Sequence, residues 1–192
     1  MVNDRLAAVR FSDIVENGLP EEKPQQEEIP EEWDAYLPNG EPAGCTLYRE
    51  GPLPEGLFHI VSNVLVRHED GSYLLMQRDE GKESYPGLFV AGAGGCVLKG
   101  ETPYQGALRE LREETGIRAE NLTLLYSQSD GEHTFYFGFL CVTSWPKDAI
   151  LLQEKETISY RWLKREEFLQ FMQGPEFVPA QREWWLPFWD RV

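Results

Sequence analysis

Between Gly95 and Ile117 the chain carries a helix with both ends marked and one face overcharged. Thr102 is a helix cap, Pro103 suits the first helical position, Gln105 completes a capping box three residues after the cap, and Gly116 supplies the stop. These signals predict a helix over 103–115. At about 100° per residue, Glu110, Glu113 and Glu114 share an arc of about 100°, with Tyr104, Leu108, Leu111 and Thr115 on the opposite side. One side is core and the other is acid. Carboxylates three and four residues apart repel by a few tenths of a kcal/mol each in water, so the acid side needs an offset. A divalent cation supplies one. Oxygen-only ligands favour Mg²⁺ or Mn²⁺, which keep waters and draw the rest of their shell from substrate phosphate. A solvated face neutralised by Arg109 and Arg112 satisfies the same arc.

Composition narrows the partners. With 192 residues, 41% of them hydrophobic, the chain suits one globular domain with an appendage. Eighteen Lys and Arg against 33 Asp and Glu give a net charge of −15, which argues against a nucleic-acid backbone or an anionic membrane as partner. A phosphorylated substrate therefore needs a local cation. The acids are uneven: 16–42 holds nine of them, one base and five prolines, a mixture that opposes regular structure. Residues 1–15 read as a short amphipathic helix and 16–30 as a solvated, Pro-rich linker, leaving 31–192 as the domain. No apolar run approaches the roughly 20 residues that cross a bilayer. No signal-peptide pattern opens the chain, and Cys45, Cys96 and Cys141 lack metal-finger spacing, so the expected location is a reducing cytoplasm with free thiols.

The rest reads as a mixed sheet with helices. Two hairpins are expected, 58–67 with 72–78 across Asp70-Gly71, and 122–129 with 133–143 across Asp130-Gly131. A strand over 157–163 and a helix over 165–172 follow. The segment 177–189, with Trp184, Trp185 and Trp189, is expected to be a helix buried on the domain or on a partner subunit, which makes a homodimer plausible.

The full spacing around the acid helix is Gly95, five residues, Glu101, seven residues, then Arg109-Glu110-Leu111-Arg112-Glu113-Glu114-Thr115-Gly116-Ile117. This resembles the Nudix box, 95–117. The resemblance implies an α/β fold, an α/β/α sandwich around a mixed β-sheet with a loop-helix-loop box. It also implies hydrolysis of a diphosphate linked to another moiety with Mg²⁺ or Mn²⁺. By matching positions, Glu110, Glu113 and Glu114 would bind metal with the Gly95 carbonyl, and Arg109 would orient Glu110 or Glu113. Glu101 matches the position that pairs within the loop-helix-loop; it also suits the dipole at the helix start. A later acid before an aromatic strand is usual, which points to Glu156 as a further ligand or general base, with Glu154 second.

Softer motifs resemble the isopentenyl-diphosphate isomerase-like branch: Trp33 to Tyr36, Asn39-Gly40, Leu57-Phe58-His59, and Tyr85-Pro86-Gly87-Leu88-Phe89, with Tyr85 and Phe89 where tryptophans are usual. The branch holds its diphosphate with an arginine and a lysine four residues apart, the places of Arg78 and Lys82. The true isomerases flank the box glycine with a proton-donating cysteine and a metal-binding histidine; here Gly94 and Cys96 stand there. His59 matches another isomerase metal position and, lacking its partner, reads as a strand histidine; Cys96 reads as packing. The expectation is a hydrolase of a nucleoside diphosphate linked to another moiety, with a small-molecule diphosphate as substrate. An isomerase and a non-catalytic binding or regulatory module of the same fold are the alternatives.

Overall fold

The computed structural model describes residues 30–192, so the helix expected over 1–15 and all but the last residue of the linker expected over 16–30 lie outside the described residues. Its centre is β3 (His59–His68), a Val-rich strand that pairs with three others. Parallel to it runs β8 (Thr134–Thr143), in register from His59 opposite Thr134 to His68 opposite Thr143. On the other edge β6 (Ala93–Cys96) pairs antiparallel with Val61 to Val64, and β4 (Ser72–Arg78) joins through Arg67 and Tyr73. The sheet continues from β4 to β5 (Phe89–Ala91) and β9 (Thr157–Lys164), and from β8 to β7 (Thr123–Ser129). Both expected hairpins form, with Gly71 at φ 81° and Gly131 at φ 79°. Their turns need that left-handed backbone, which glycine adopts without a Cβ clash.

The period of two along the strands sorts side chains between two layers. Val64, Val66, Leu74, Met76, Phe139 and Cys141 face α1 (Pro103–Thr115), meeting Ala107, Leu111 and Ile117. Leu65, Tyr73, Leu75 and Leu140 face the other way, toward α2 (Arg165–Met172) and the C-terminal segment. The result is a mixed sheet between helices. A separate hairpin, β1 (Glu32–Tyr36) and β2 (Pro42–Tyr48), packs Trp33, Ala35 and Leu47 against Leu57, Cys96 and Leu98. It also grips the loop before α1: the Lys99 N–H donates to Glu32 O at 2.8 Å and the Gly100 N–H to Asp34 Oδ2 at 2.8 Å.

One expected element is corrected. Instead of a continuous helix over 177–189, Phe177 makes an isolated bridge with Phe89, α3 spans Pro179–Trp185, and a 3₁₀ helix follows over Leu186–Arg191. Pro187 has no N–H to donate back to the preceding turn, so the α-helix cannot run through it. Trp185 and Trp189 are buried in this chain's own core, where Trp189 stacks on Phe168 at 5.2 Å. Those two rings therefore give no reason to invoke a second subunit.

Between β7 and β8 the register shifts from Leu124 to Tyr126, and this bulge lays the Tyr126 ring across Gly138. A Cβ at Gly138 would run into that ring, which Trp185 and Phe188 hold from the other side. Gly138→Ala is expected to destabilise the fold by about 1–3 kcal/mol through overpacking. Urea unfolding that shows an unchanged midpoint would contradict this account of the bulge.

Candidate active site

The residues singled out in the sequence converge on a cleft of about 1020 Å³. α1 spans Pro103–Thr115 as the end signals require: Thr102 accepts from Gln105 N–H, the Gln105 side chain returns to Thr102, and Gly116 closes the helix at φ 78°. This fixes the rotation of the acid arc. β6 delivers Gly94 and Gly95 beside it, the loop before β9 delivers Glu156, and Arg78 and Lys82 come from the end of β4 and the turn after it.

Arg109 organises the acid face. Its Nε and one terminal nitrogen grip Glu101 at 2.9 and 3.0 Å, and that second nitrogen also donates to the Cys96 carbonyl at 2.9 Å. The remaining nitrogen donates to Glu110 at 2.7 Å and Glu113 at 3.2 Å. Both carboxylates that the sequence offered as its partners are thus engaged. Glu101 pairs with the helix rather than serving only its dipole. Burial alone would raise the Glu101 pKa, but Arg109 and the Leu98 N–H hold it below the usual range. Burial would also lower the Arg109 pKa, and its carboxylates outweigh that, raising it.

The acid arc is graded: Glu113 is exposed, Glu110 half-buried and Glu114 buried. Glu114 is only 8% exposed, and among the described residues its one hydrogen-bond donor is the Gly94 N–H at 3.3 Å. Burial above all, then Glu110 and Glu156, pushes its carboxyl up to about 8. Glu110 is raised too, by burial that Arg109 only partly offsets. Gly95 lies directly against the Glu110 carboxylate, leaving no room for a Cβ. Among the described residues no three acid, histidine or cysteine side chains are grouped so that they could hold a metal ion by themselves. The arrangement is open instead: a buried carboxylate short of donors, two acid neighbours, a bare backbone and a water-accessible cleft. That donor set fits a hard divalent cation that retains waters.

Glu156 lines the cleft and its Oε2 accepts from Lys82 Nζ at 2.5 Å; Glu154 does not line it. Arg78 donates from Nε to the Ser84 carbonyl at 2.9 Å, and among the described residues no carboxylate pairs with it. The two cations expected to meet a diphosphate are therefore in the cleft in different states, Lys82 engaged by Glu156 and Arg78 open. His59 is a buried strand residue stacked on Trp33 at 4.5 Å, with burial lowering its pKa. Cys96 packs with the β1–β2 hairpin, and burial first of all pushes its thiol up to about 12.

The sequence did not single out every lining residue. Arg49, ion-paired with Glu31 at 2.8 Å, enters from the hairpin, and Asn63, Lys155 and Trp184 come from β3, the β9 loop and α3. None belongs to a local motif; only the tertiary fold brings them to the box.

Comparison with known proteins gives consistent findings. The family model described as NUDIX domain matches residues 57–184. An uncharacterized Nudix hydrolase of Listeria monocytogenes is 34% identical over 153 residues, covering 78% of this chain and 89% of that protein. An isopentenyl-diphosphate Delta-isomerase of Corynebacterium diphtheriae is 30% identical over 83 residues, 43% of this chain and 45% of that one. Among solved structures, a Deinococcus radiodurans protein superposes with a TM-score of 0.63 at 23% identity, over 77% of this chain and 92% of that one. This last likeness concerns the fold alone.

The raised carboxyls set a pH dependence. Between the unfolded value near 4.5 and the folded value of about 8, Glu114 binds more protons in the native state than in the unfolded one. The stability of metal-stripped protein therefore falls as pH rises across that window. Thermal melts in chelator should show a melting temperature that declines over this range, and Glu114→Gln should flatten the decline. Mg²⁺ should restore more stability at pH 8 than at pH 5, because protons compete with the ion.

Proposed function

Because the chain belongs to the Nudix family of hydrolases, we propose that it cleaves the pyrophosphate bond of a nucleoside diphosphate linked to another moiety, with Mg²⁺ or Mn²⁺ as cofactor. The observation that carries this reading is the complete acid face, Glu110, Glu113 and Glu114 with Arg109 and Gly95, facing Glu156 across one cleft that also holds Arg78 and Lys82. Half-buried Glu110 and buried Glu114, with the Gly95 carbonyl, would hold the ion, and Glu113 and Glu156 would complete its surroundings. When bound, the ion supplies charge neutralisation at the phosphates and a more acidic water. Arg109 is a positioning residue that fixes Glu110 and Glu113. Arg78 can grip a phosphate with its unengaged nitrogens, and Lys82 can exchange Glu156 for a phosphate oxygen. Glu113 and Glu156, the more accessible acids, are the candidates to take the proton as water oxygen bonds to phosphorus and the bridging P–O bond breaks.

Two observations disfavour an isomerase. An added Cβ at Gly94 would come within 2.7 Å of Asn63 Oδ1 and 2.8 Å of Ser62 O, so a cysteine there has no space. The Cys96 thiol is directed into packing, and its raised pKa gives it no role as an accessible acid. The intact acid face also counts against a binding-only module, since modules of this fold without turnover commonly lose box glutamates. The three cysteines are free thiols, in keeping with a cytoplasmic protein. No helix among the described residues is long and apolar enough to cross a membrane.

Incubating the protein with nucleoside diphosphate sugars, dinucleoside polyphosphates, coenzymes and isopentenyl diphosphate should give Mg²⁺-dependent hydrolysis of at least one. Glu113→Gln with Glu114→Gln should abolish it and weaken Mg²⁺ binding in calorimetry. Arg109→Ala should lower kcat by about 10- to 100-fold as an outer-shell loss. Arg78→Ala should act on kcat/KM with metal affinity unchanged. Conversion of isopentenyl diphosphate without hydrolysis of any diphosphate would replace this reading with the isomerase.

A further inference from the structure

Two loops meet where β4 and β9 end at the cleft, and their main chains are pinned to each other. The Asp79 N–H donates to the Glu156 carbonyl at 2.9 Å, next to the Arg78–Thr157 pair that ends the β4–β9 ladder. On the β4 side Asp79 closes a tight turn: its Oδ1 accepts from the Gly81 N–H at 2.7 Å and its carbonyl from the Lys82 N–H at 3.2 Å. The far end of that loop returns to the strand, where the Leu88 carbonyl accepts from the Arg78 N–H at 2.9 Å and the Gly87 carbonyl from Gln77 Nε2 at 3.0 Å. On the β9 side the Gln153 carbonyl accepts from the N–H groups of Glu156 and Thr157 at 3.1 and 3.0 Å. The backbone that carries Lys82 and Glu156 is therefore fixed without help from their side chains.

On this frame the contact between the two side chains is separable. It joins residues 74 positions apart at 2.5 Å, and among the described residues neither the Lys82 ammonium nor the Glu156 carboxylate has another side-chain partner. A lysine is a point charge on a flexible four-carbon stem, so it can swing from one acceptor to another while the loops stay in place. While the pair holds, Glu156 gives its charge to the ammonium rather than to the acid face of α1. Once released, it is a carboxylate without a counter-charge in a cleft that already holds Glu110, Glu113 and Glu114, of which Arg109 pairs with the first two. An anion that draws Lys82 away thus raises the affinity for a divalent cation, and by linkage the cation raises the affinity for the anion.

We propose that Lys82 is a positioning residue that keeps Glu156 from the metal face until a phosphate group takes its ammonium, so that phosphate and divalent cation bind with positive coupling. The Lys82–Glu156 pair is then the resting state of the site, opened by the substrate itself. This deepens the diphosphate-hydrolase reading and rests on it for the phosphate and the ion.

Calorimetric titration of Mg²⁺ with and without inorganic phosphate, at one ionic strength, tests the coupling without turnover. In wild type, phosphate should tighten Mg²⁺ by about 5-fold or more. Lys82→Met, which keeps the stem and removes the charge, should bind Mg²⁺ without phosphate about as tightly as wild type does with it, and phosphate should add little. Lys82→Arg restores the pair and should restore the weaker resting affinity. Lys155→Met removes the same charge from the same cleft but leaves the pair intact, and should retain the effect of phosphate. In a Glu156→Gln background Lys82→Met should leave Mg²⁺ affinity nearly unchanged, the double-mutant cycle assigning the gain to the pair. Glu156→Gln alone should abolish the effect of phosphate, which keeps the test decisive if Lys82→Met folds poorly. Phosphate without effect on Mg²⁺ in wild type overturns the proposal. So does a gain from Lys82→Met that persists undiminished beside Glu156→Gln, which would be loss of a like charge and no more. Hydrolysis of a diphosphate without coupling would remove this role of Lys82 and leave the hydrolase reading, while coupling without hydrolysis of any diphosphate would do the reverse.

Discussion

The Arg109 guanidinium is the interaction on which the site depends. It ties together the loop before α1 through Glu101, the end of β6 through the Cys96 carbonyl, and two carboxylates of its own helix. A half-buried cation is expensive to desolvate, and charge-assisted bonds of about 1.5–3 kcal/mol each offset that cost only when the geometry is met. Meeting it requires α1 to lie against β6 with no side chain between them. Gly95 provides that closeness: a Cβ there would displace the Glu110 carboxylate. The helix, the loop and the strand are therefore one electrostatic unit rather than three elements that happen to meet.

The same unit leaves a residual imbalance. Arg109 serves Glu101, Glu110 and Glu113 but not Glu114, which is buried with one weak backbone donor. The sheet enforces this burial, because Leu111 and Thr115 on the adjoining stripe of α1 pack on the apolar layer of β3, β4 and β8. Core packing on one side of the helix thus places an under-compensated carboxylate on the other. Lys82 and Glu156 close the far side of the cleft by pairing with each other. An under-compensated carboxyl is thus built into the packing.

Around this centre the fold adds parts that the box itself does not encode. The β1–β2 hairpin lies before the segment matched by the family model, which begins at residue 57, yet it braces the loop at Lys99 and Gly100 and brings Arg49 to the cleft. α3 brings Trp184 from the opposite end of the sequence. The strained backbone at Tyr85 and Lys155 lies in the two turns that carry Lys82 and Glu156. Rigid elements hold the acids of the box, and turns hold Lys82 and Glu156 at the cleft.

Local signals in the sequence determined the limits of α1, the two glycine turns, strand β9 and helix α2, because each depends on residues a few positions apart: a capping box, an Asp-Gly pair, a two- or 3.6-residue period. The box spacing likewise carried the Arg109 pairing, since its partners lie on the same helix and the loop just before it. What the sequence left open was decided by packing between distant segments. Whether Glu114 was solvated or buried depended on β3 and β6. Lys82 was engaged by Glu156, 74 positions away, and the tryptophan segment was absorbed by the chain's own core, with Pro187 ending its helix early. Charge pairing, burial and stacking across such separations leave no periodic trace in the chain, so only the tertiary structure assigns them.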